Sequence, residues 1–107
     1  MTDKIVVLTT CDSEAAAADL SRKLVELRIA ACVHILPAGR SIYRWKEQIE
    51  EAQEWLLVIK SSRERFDELR SQIQKLHSYD VPEMIAIPVV DGSEAYLNWL
   101  DQELRSK

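Results

Sequence analysis

Glycine is almost missing from this chain, with two in 107 residues, and no Gly-rich loop is present to cradle a phosphate or a dinucleotide. Neither a nucleophile elbow nor an HExxH pair occurs, so the chain is expected not to be an enzyme. Cysteine is limited to Cys11 and Cys32, without a CxxC or a disulfide framework, and reduced thiols in a cytoplasmic setting are expected. No apolar run approaches the ~18 residues needed to span a bilayer. The opening "MTDKIVVLTT" enters a strand rather than a cleavable leader, so no membrane partner is expected. Basic charge is not in excess either. With 18 acidic against 14 basic residues the net charge is −4, and in "KSSRERFDELRSQIQK" Lys and Arg are interleaved with Glu and Asp. That is a solvated helix face, and nucleic acid is not an expected partner.

What is there describes one globular domain over residues 1–107, 47% hydrophobic and 30% charged, with no linker and no low-complexity segment. "KIVVLTT" (Lys4 to Thr10) is a β-branched run suited to a central strand. "CDSEAAAADLSRKLVELRIA" reads as a helix capped by Asp12 or Ser13, with Leu20, Leu24 and Leu27 as its buried stripe. A second strand over Ala30 to Leu36 bends at Pro37 and Gly39. "SIYRWKEQIEEAQEWLLVIKS" then forms a long hairpin with a polar tip "KEQ". Ser61 and Glu64 have capping-box spacing before a helix from about Ser62 to Leu76, with Phe66, Leu69, Ile73 and Leu76 inward. "EMIAIPVV" (Glu83 to Val90) is the last strand, where Pro88 leaves one side unpaired. "DGSEAYLNWLDQELRSK" closes as a short helix with Tyr96, Leu97, Leu100 and Leu104 inward.

This order predicts an α/β (α+β) fold, a ferredoxin-like split βαβ sandwich with a long β-hairpin and a C-terminal helix. Helices on one face leave the other face of the sheet open, and the distal hairpin is too polar to be buried by its own domain. Oligomerisation is the expected remedy.

Three segments, "RIAACVHI", "SIYRWKEQIEEAQEWLLVIKS" and "HSYDVPEMIAIPV", together with the closing "YLNWL", resemble the CutA family of divalent-cation tolerance proteins over essentially the whole chain. The resemblance implies a homotrimer whose fold and assembly are like those of the nitrogen-regulatory PII proteins. It also implies a divalent metal ion, Cu or Zn, as ligand and a part in metal tolerance. Some positions depart from the family pattern: Ser78 stands for Pro, Glu47 for Gly and His34 for Asn. Thr9 stands where copper-binding members can carry Cys.

Among the candidate residues, His77 and Glu83 in "HSYDVPE" are the expected metal ligands, with Asp80 nearby, because imidazole suits Cu or Zn and a carboxylate compensates charge. The plainer reading makes His77 a helix end and Pro82 the entry to a strand. Cys11, at a strand end, is the third candidate and is expected to be more reachable than Cys32. Cys32 and His34 alternate onto one face, as a soft-metal pair or as a buried thiol beside a satisfied histidine. Tyr43, Trp45 and Trp55 are the expected trimer contacts, with Trp55 and Trp99 either in the core or at the seam. The alternative to a metal protein is a PII-like signalling module that binds a small anionic ligand or a partner protein between subunits.

Overall fold

A computed structural model describes residues 2–105. The first strand, β1 (Lys4–Cys11), is followed by helix α1 (Glu14–Glu26) and by the paired strands β2 (Cys32–Trp45) and β3 (Gln48–Ser62). Helix α2 (Phe66–Leu76), strand β4 (Ile85–Pro88) and helix α3 (Glu94–Glu103) complete the order. The sheet runs β2-β3-β1-β4 with every neighbouring pair antiparallel, the ferredoxin-like arrangement expected. The expected C-terminal helix was drawn to the chain end, and Ser106 and Lys107 lie outside the described residues.

Alternation along β1 sends Ile5, Val7, Thr9 and Cys11 to one face, opposite Ser61, Ile59, Leu57 and Trp55 of β3. Against that face α1 lays Ala17, Leu20 and Leu24, and α2 lays Leu69 and Ile73, so a single core forms beneath the two helices. Leu24 has no exposed surface, and truncating such a side chain costs about 2–5 kcal/mol. The helices begin where the chemistry allows. Ser13 caps α1 by accepting the Ala16 N–H at 3.0 Å, and Ser93 caps α3 by accepting the Tyr96 N–H at 3.3 Å. α1 ends in a Schellman turn, with Arg28 N–H on the Val25 carbonyl at 3.0 Å and Ile29 N–H on the Leu24 carbonyl at 3.2 Å. Arg28 carries the left-handed φ of 60° that this turn requires.

Several expectations are corrected. Leu27 is 40% exposed because α1 stops at Glu26, which takes Leu27 off the buried stripe. Leu76, the last residue of α2, is 44% exposed, at the edge of a cleft where the helix ends. Ser61 does not cap α2. Its place on the inward face of β3 commits its hydroxyl to the Ile29 carbonyl at 2.7 Å, and a 3-10 turn, Arg63–Arg65, leads into the helix instead. The last strand is four residues rather than eight, and Pro88 sits at the sheet edge opposite Ile5, where its missing donor costs nothing. Pro37 and Gly39 do not end a strand. They make an irregularity in the pairing between Leu36 and Gly39, and β2 runs on through it.

The hairpin turns at Lys46 and Glu47, both in left-handed backbone at φ 50° and 66°. That is the pair of positive φ values a two-residue hairpin loop needs. Beyond the irregularity the two arms are exposed, Ile42 and Ile49 by 63% and 64%. The second face of the sheet carries Leu36, Ile85 and Ile87, all exposed. α3 touches only one end of it. There Leu97, Leu100 and Leu104 close on Ala31, Asp101 meets Lys4 at 3.3 Å, and Lys60 lies 6.0 Å over the Tyr96 ring. Tyr96 does not point inward as expected. It stacks on Trp99 at 5.7 Å, and both rings remain half exposed.

Candidate functional site

α2 ends when His77 leaves the helix with extended backbone (φ −80°, ψ 145°), its N–H still held by the Ile73 carbonyl at 2.9 Å. Gln74 reaches across the turn to the Asp80 carbonyl at 3.3 Å, and Pro82 is buried, which fixes the path towards β4. The imidazole therefore folds back over the end of β1. Its Nε2 meets the Thr10 carbonyl at 2.6 Å, and its Nδ1 accepts the Tyr79 backbone N–H at 3.0 Å. The Thr10 carbonyl can only accept, so Nε2 carries the proton and Nδ1 the lone pair.

Tyr79 extends this arrangement to the hairpin. Its ring lies 4.7 Å from the imidazole, tilted by 46°, and its hydroxyl donates to Glu54 Oε2 at 2.6 Å. Burial raises the Tyr79 phenol above its ordinary range, and the Glu54 hydrogen bond and charge add to that shift. The expected site residues thus occupy one end of the sheet without converging. Cys11 lies beneath His77 and is 3% exposed, which reverses the expectation that it would be the accessible thiol. The inward parity of β1 buries it opposite Trp55. Burial, with the charges of Asp12 and Glu54, pushes its thiol up to about 11 from 9.0, which disfavours the thiolate a metal would bind. Glu83 and Asp80 are exposed. Cys32 is half-buried and His34 exposed, both on the open face of the sheet.

A cleft of about 340 Å³ opens between α1 and the end of α2, lined by Cys11 and Leu20 and by Asp19, Lys23, His77 and Ser78. Among the described residues, no three His, Cys, Asp or Glu side chains gather into a group that could hold a metal ion. The single chain as folded does not fit a metal: the His77 lone pair is engaged, and Cys11 is a buried thiol. Trp55 packs against the main core, whereas Tyr43 and Trp45 stand exposed on the hairpin. Glu54 and the Thr10 carbonyl were missed by sequence reasoning. Nothing in the spacing links positions 54 and 79, and a backbone carbonyl leaves no mark in a sequence.

The whole-chain resemblance is independently supported. Residues 5–103 match the family model described as CutA1 divalent ion tolerance protein. The "Divalent-cation tolerance protein CutA" of Thermus thermophilus is 45% identical over 95 residues, 89% of this chain and 92% of that one. Its namesake in Pectobacterium atrosepticum is 39% identical over 103 residues, 96% of this chain and 94% of its own. The crystal structure of CutA from Xylella fastidiosa superposes with a TM-score of 0.95 at 38% identity, covering 97% of this chain and all of that one. With the fold, the strand order and the residues of all three segments in agreement, this chain belongs to the CutA family of divalent-cation tolerance proteins.

Proposed function

We propose that the chain works as a homotrimer that takes up a divalent cation of the Cu or Zn type and so contributes to metal tolerance, without catalysing a reaction, in the cytoplasm. The observation that carries the assembly is the open sheet face. Leu36, Ile85 and Ile87 on it, and Ile42, Tyr43, Trp45 and Ile49 along the hairpin, are all exposed in one chain. So many large apolar side chains on a domain this small favour burial against further copies. In this reading His77 and Glu83 contribute donors, and water or another copy supplies the rest. Cys11 is left out because its thiol is buried and holds its proton.

Sedimentation equilibrium at micromolar concentration tests the assembly, and a stable monomer overturns it. Calorimetric titration with Zn(II) and Cu(II), comparing the chain with His77→Ala, tests the cation, and equal affinities overturn that part. The cleft beside Lys23 is of ligand size and largely apolar and gives a place for a second reading, a signalling module for a small anion, with Asp19 on the same lining offsetting the Lys23 charge. A thermal-shift screen of small carboxylates and phosphates separates the two.

A further inference from the structure

Of the seven aspartates in the chain, Asp91 alone precedes a glycine. Both residues are exposed and lie between β4 and α3, outside any helix or strand. The Asp91 carboxylate folds back on its neighbour, and Oδ1 accepts the Gly92 N–H at 2.8 Å. That contact brings the side-chain carboxyl carbon beside a backbone nitrogen whose residue carries no crowding Cβ. The other aspartates are held differently. Asp19, Asp67 and Asp101 sit in helical backbone, Asp80 precedes the β-branched Val81, and the amide after Asp3 is taken by Thr2 Oγ1 at 3.1 Å. Asp12 precedes Ser13, whose extended backbone and hydroxyl are committed to the cap of α1. Packing also favours glycine at 92. A Cβ there would come within 3.1 Å of Leu97 Cδ2, the side chain that helps to seat α3 on Ala31.

We propose that Asp91–Gly92 is a site of self-modification, where the folded chain converts its own aspartate to isoaspartate. The Gly92 nitrogen attacks Asp91 Cγ and an N–Cγ bond forms. The proton on that nitrogen and the carboxyl hydroxyl leave together as one water, which closes a five-membered succinimide. Water then reopens the ring at either carbonyl. Opening at Cγ restores Asp91, whereas opening at the backbone carbonyl leaves Gly92 bonded through Cγ and frees the α-carboxylate. No electrons change hands, and water is the only co-reactant. The site stands apart from any reading of cation binding. Its product strains a short tether. On one side Val89 is pinned to the start of the chain, its N–H on the Lys4 carbonyl at 3.0 Å and its carbonyl accepting the Thr2 hydroxyl at 2.7 Å. On the other side Ser93 caps α3. Isoaspartate puts one more atom into the main chain between these anchors, which moves Gly92 off Leu97 and loosens the seat of α3.

The test is to hold the full chain, folded, near neutral pH for several weeks. Isoaspartate is then counted by methyl transfer from labelled S-adenosylmethionine, with an isoaspartyl methyltransferase as the probe. Peptide mapping with electron-transfer fragmentation locates it. Isoaspartate is expected to accumulate at position 91 at least tenfold above any other aspartate. Asp91→Glu keeps the charge but would have to close a larger ring, and it is expected to lose the signal. Asp91→Asn expels ammonia in place of water and is expected to reach the same product at least fivefold faster. Isoaspartate spread evenly over the seven aspartates, or a signal that persists in Asp91→Glu, overturns the site. In the aged protein, hydrogen exchange of the Leu97 and Leu100 amides is expected to quicken. Unchanged exchange beside a confirmed isoaspartate overturns the loosening of α3 and leaves the site standing.

Discussion

Tyr79 and Glu54, twenty-five positions apart, share a hydrogen bond of 2.6 Å that ties the turn after α2 to the root of the β2–β3 hairpin. Its first consequence is a dependence on alkaline pH. The folded chain holds the Tyr79 phenol above its ordinary value of 10.0, chiefly through burial and then through Glu54. Because the folded state keeps the proton that the unfolded state gives up, this contribution is complete below about pH 10 and is lost progressively above it. Urea unfolding between pH 8 and 11 is expected to show stability falling from about pH 9, where the raised Cys11 thiol contributes, and more steeply from about pH 10, where Tyr79 joins it; Glu54→Gln should reduce the fall above pH 10. A flat profile in both proteins contradicts a half-buried Tyr79–Glu54 bond.

Thiol labelling is expected to reach Cys32 first. Cys11 is buried and its thiol is pushed up to about 11, so near neutral pH it offers a labelling reagent neither access nor thiolate. Peptide mapping after brief alkylation checks this, and Cys11 should react only as the chain unfolds. Preferential modification of Cys11 in the native protein would restore the order drawn from sequence.

Trp45→Ala should act on association rather than on folding. The side chain is 44% exposed at the end of β2, on the hairpin tip away from the core, so the single chain should lose no more than about 0.5 kcal/mol. If the hairpin anchors the assembly, the loss in association is about 2 kcal/mol or more, as for an interface aromatic. Sedimentation across a concentration series, alongside the denaturation midpoint, distinguishes the two effects. An unchanged trimer would make Trp45 simple surface.

Glu47→Gly is expected to raise stability by about 0.5–1 kcal/mol, because Glu47 occupies left-handed backbone at φ 66° that glycine adopts without strain. Part of the strain relief is offset by the larger entropy of glycine in the unfolded chain. Arg28→Gly is the control. Arg28 shares the left-handed geometry at φ 60°, but its guanidinium donates to the Glu103 carbonyl at 3.2 Å, so glycine there should gain less or lose. Urea midpoints at constant m-value measure both.

The strands and helices were legible because each writes its own period into the sequence. β1 and α1 follow directly from "KIVVLTT" and from the Leu20–Leu24 spacing, and Ser13 caps where an N-cap was expected. The errors fall where tertiary contacts override local signals. Ser61 has the right spacing to cap a helix, but the Ile29 carbonyl claims its hydroxyl. Cys11 lies at a strand end, but helix α1 and the end of α2 close over it. The site is less readable than the fold for the same reason. His77 was visible as chemistry, whereas its state depends on Thr10, Tyr79 and Glu54, from three separate elements, and no one-dimensional pattern joins them.

The strand order also sets a schedule for making the protein. β1, the first strand synthesised, ends in the middle of the sheet, and both its neighbours arrive late: β3 begins at Gln48, and β4 ends at Pro88. An emerging chain can close the β2–β3 hairpin by itself. It cannot complete the sheet until Pro88 has left the ribosome, and until then β1 has an open edge. High separation along the chain slows folding, so the exposed interval should be long enough for nascent β1 to need shielding. Translation stalled just before Ile85 should leave a chain more sensitive to protease than one released at full length.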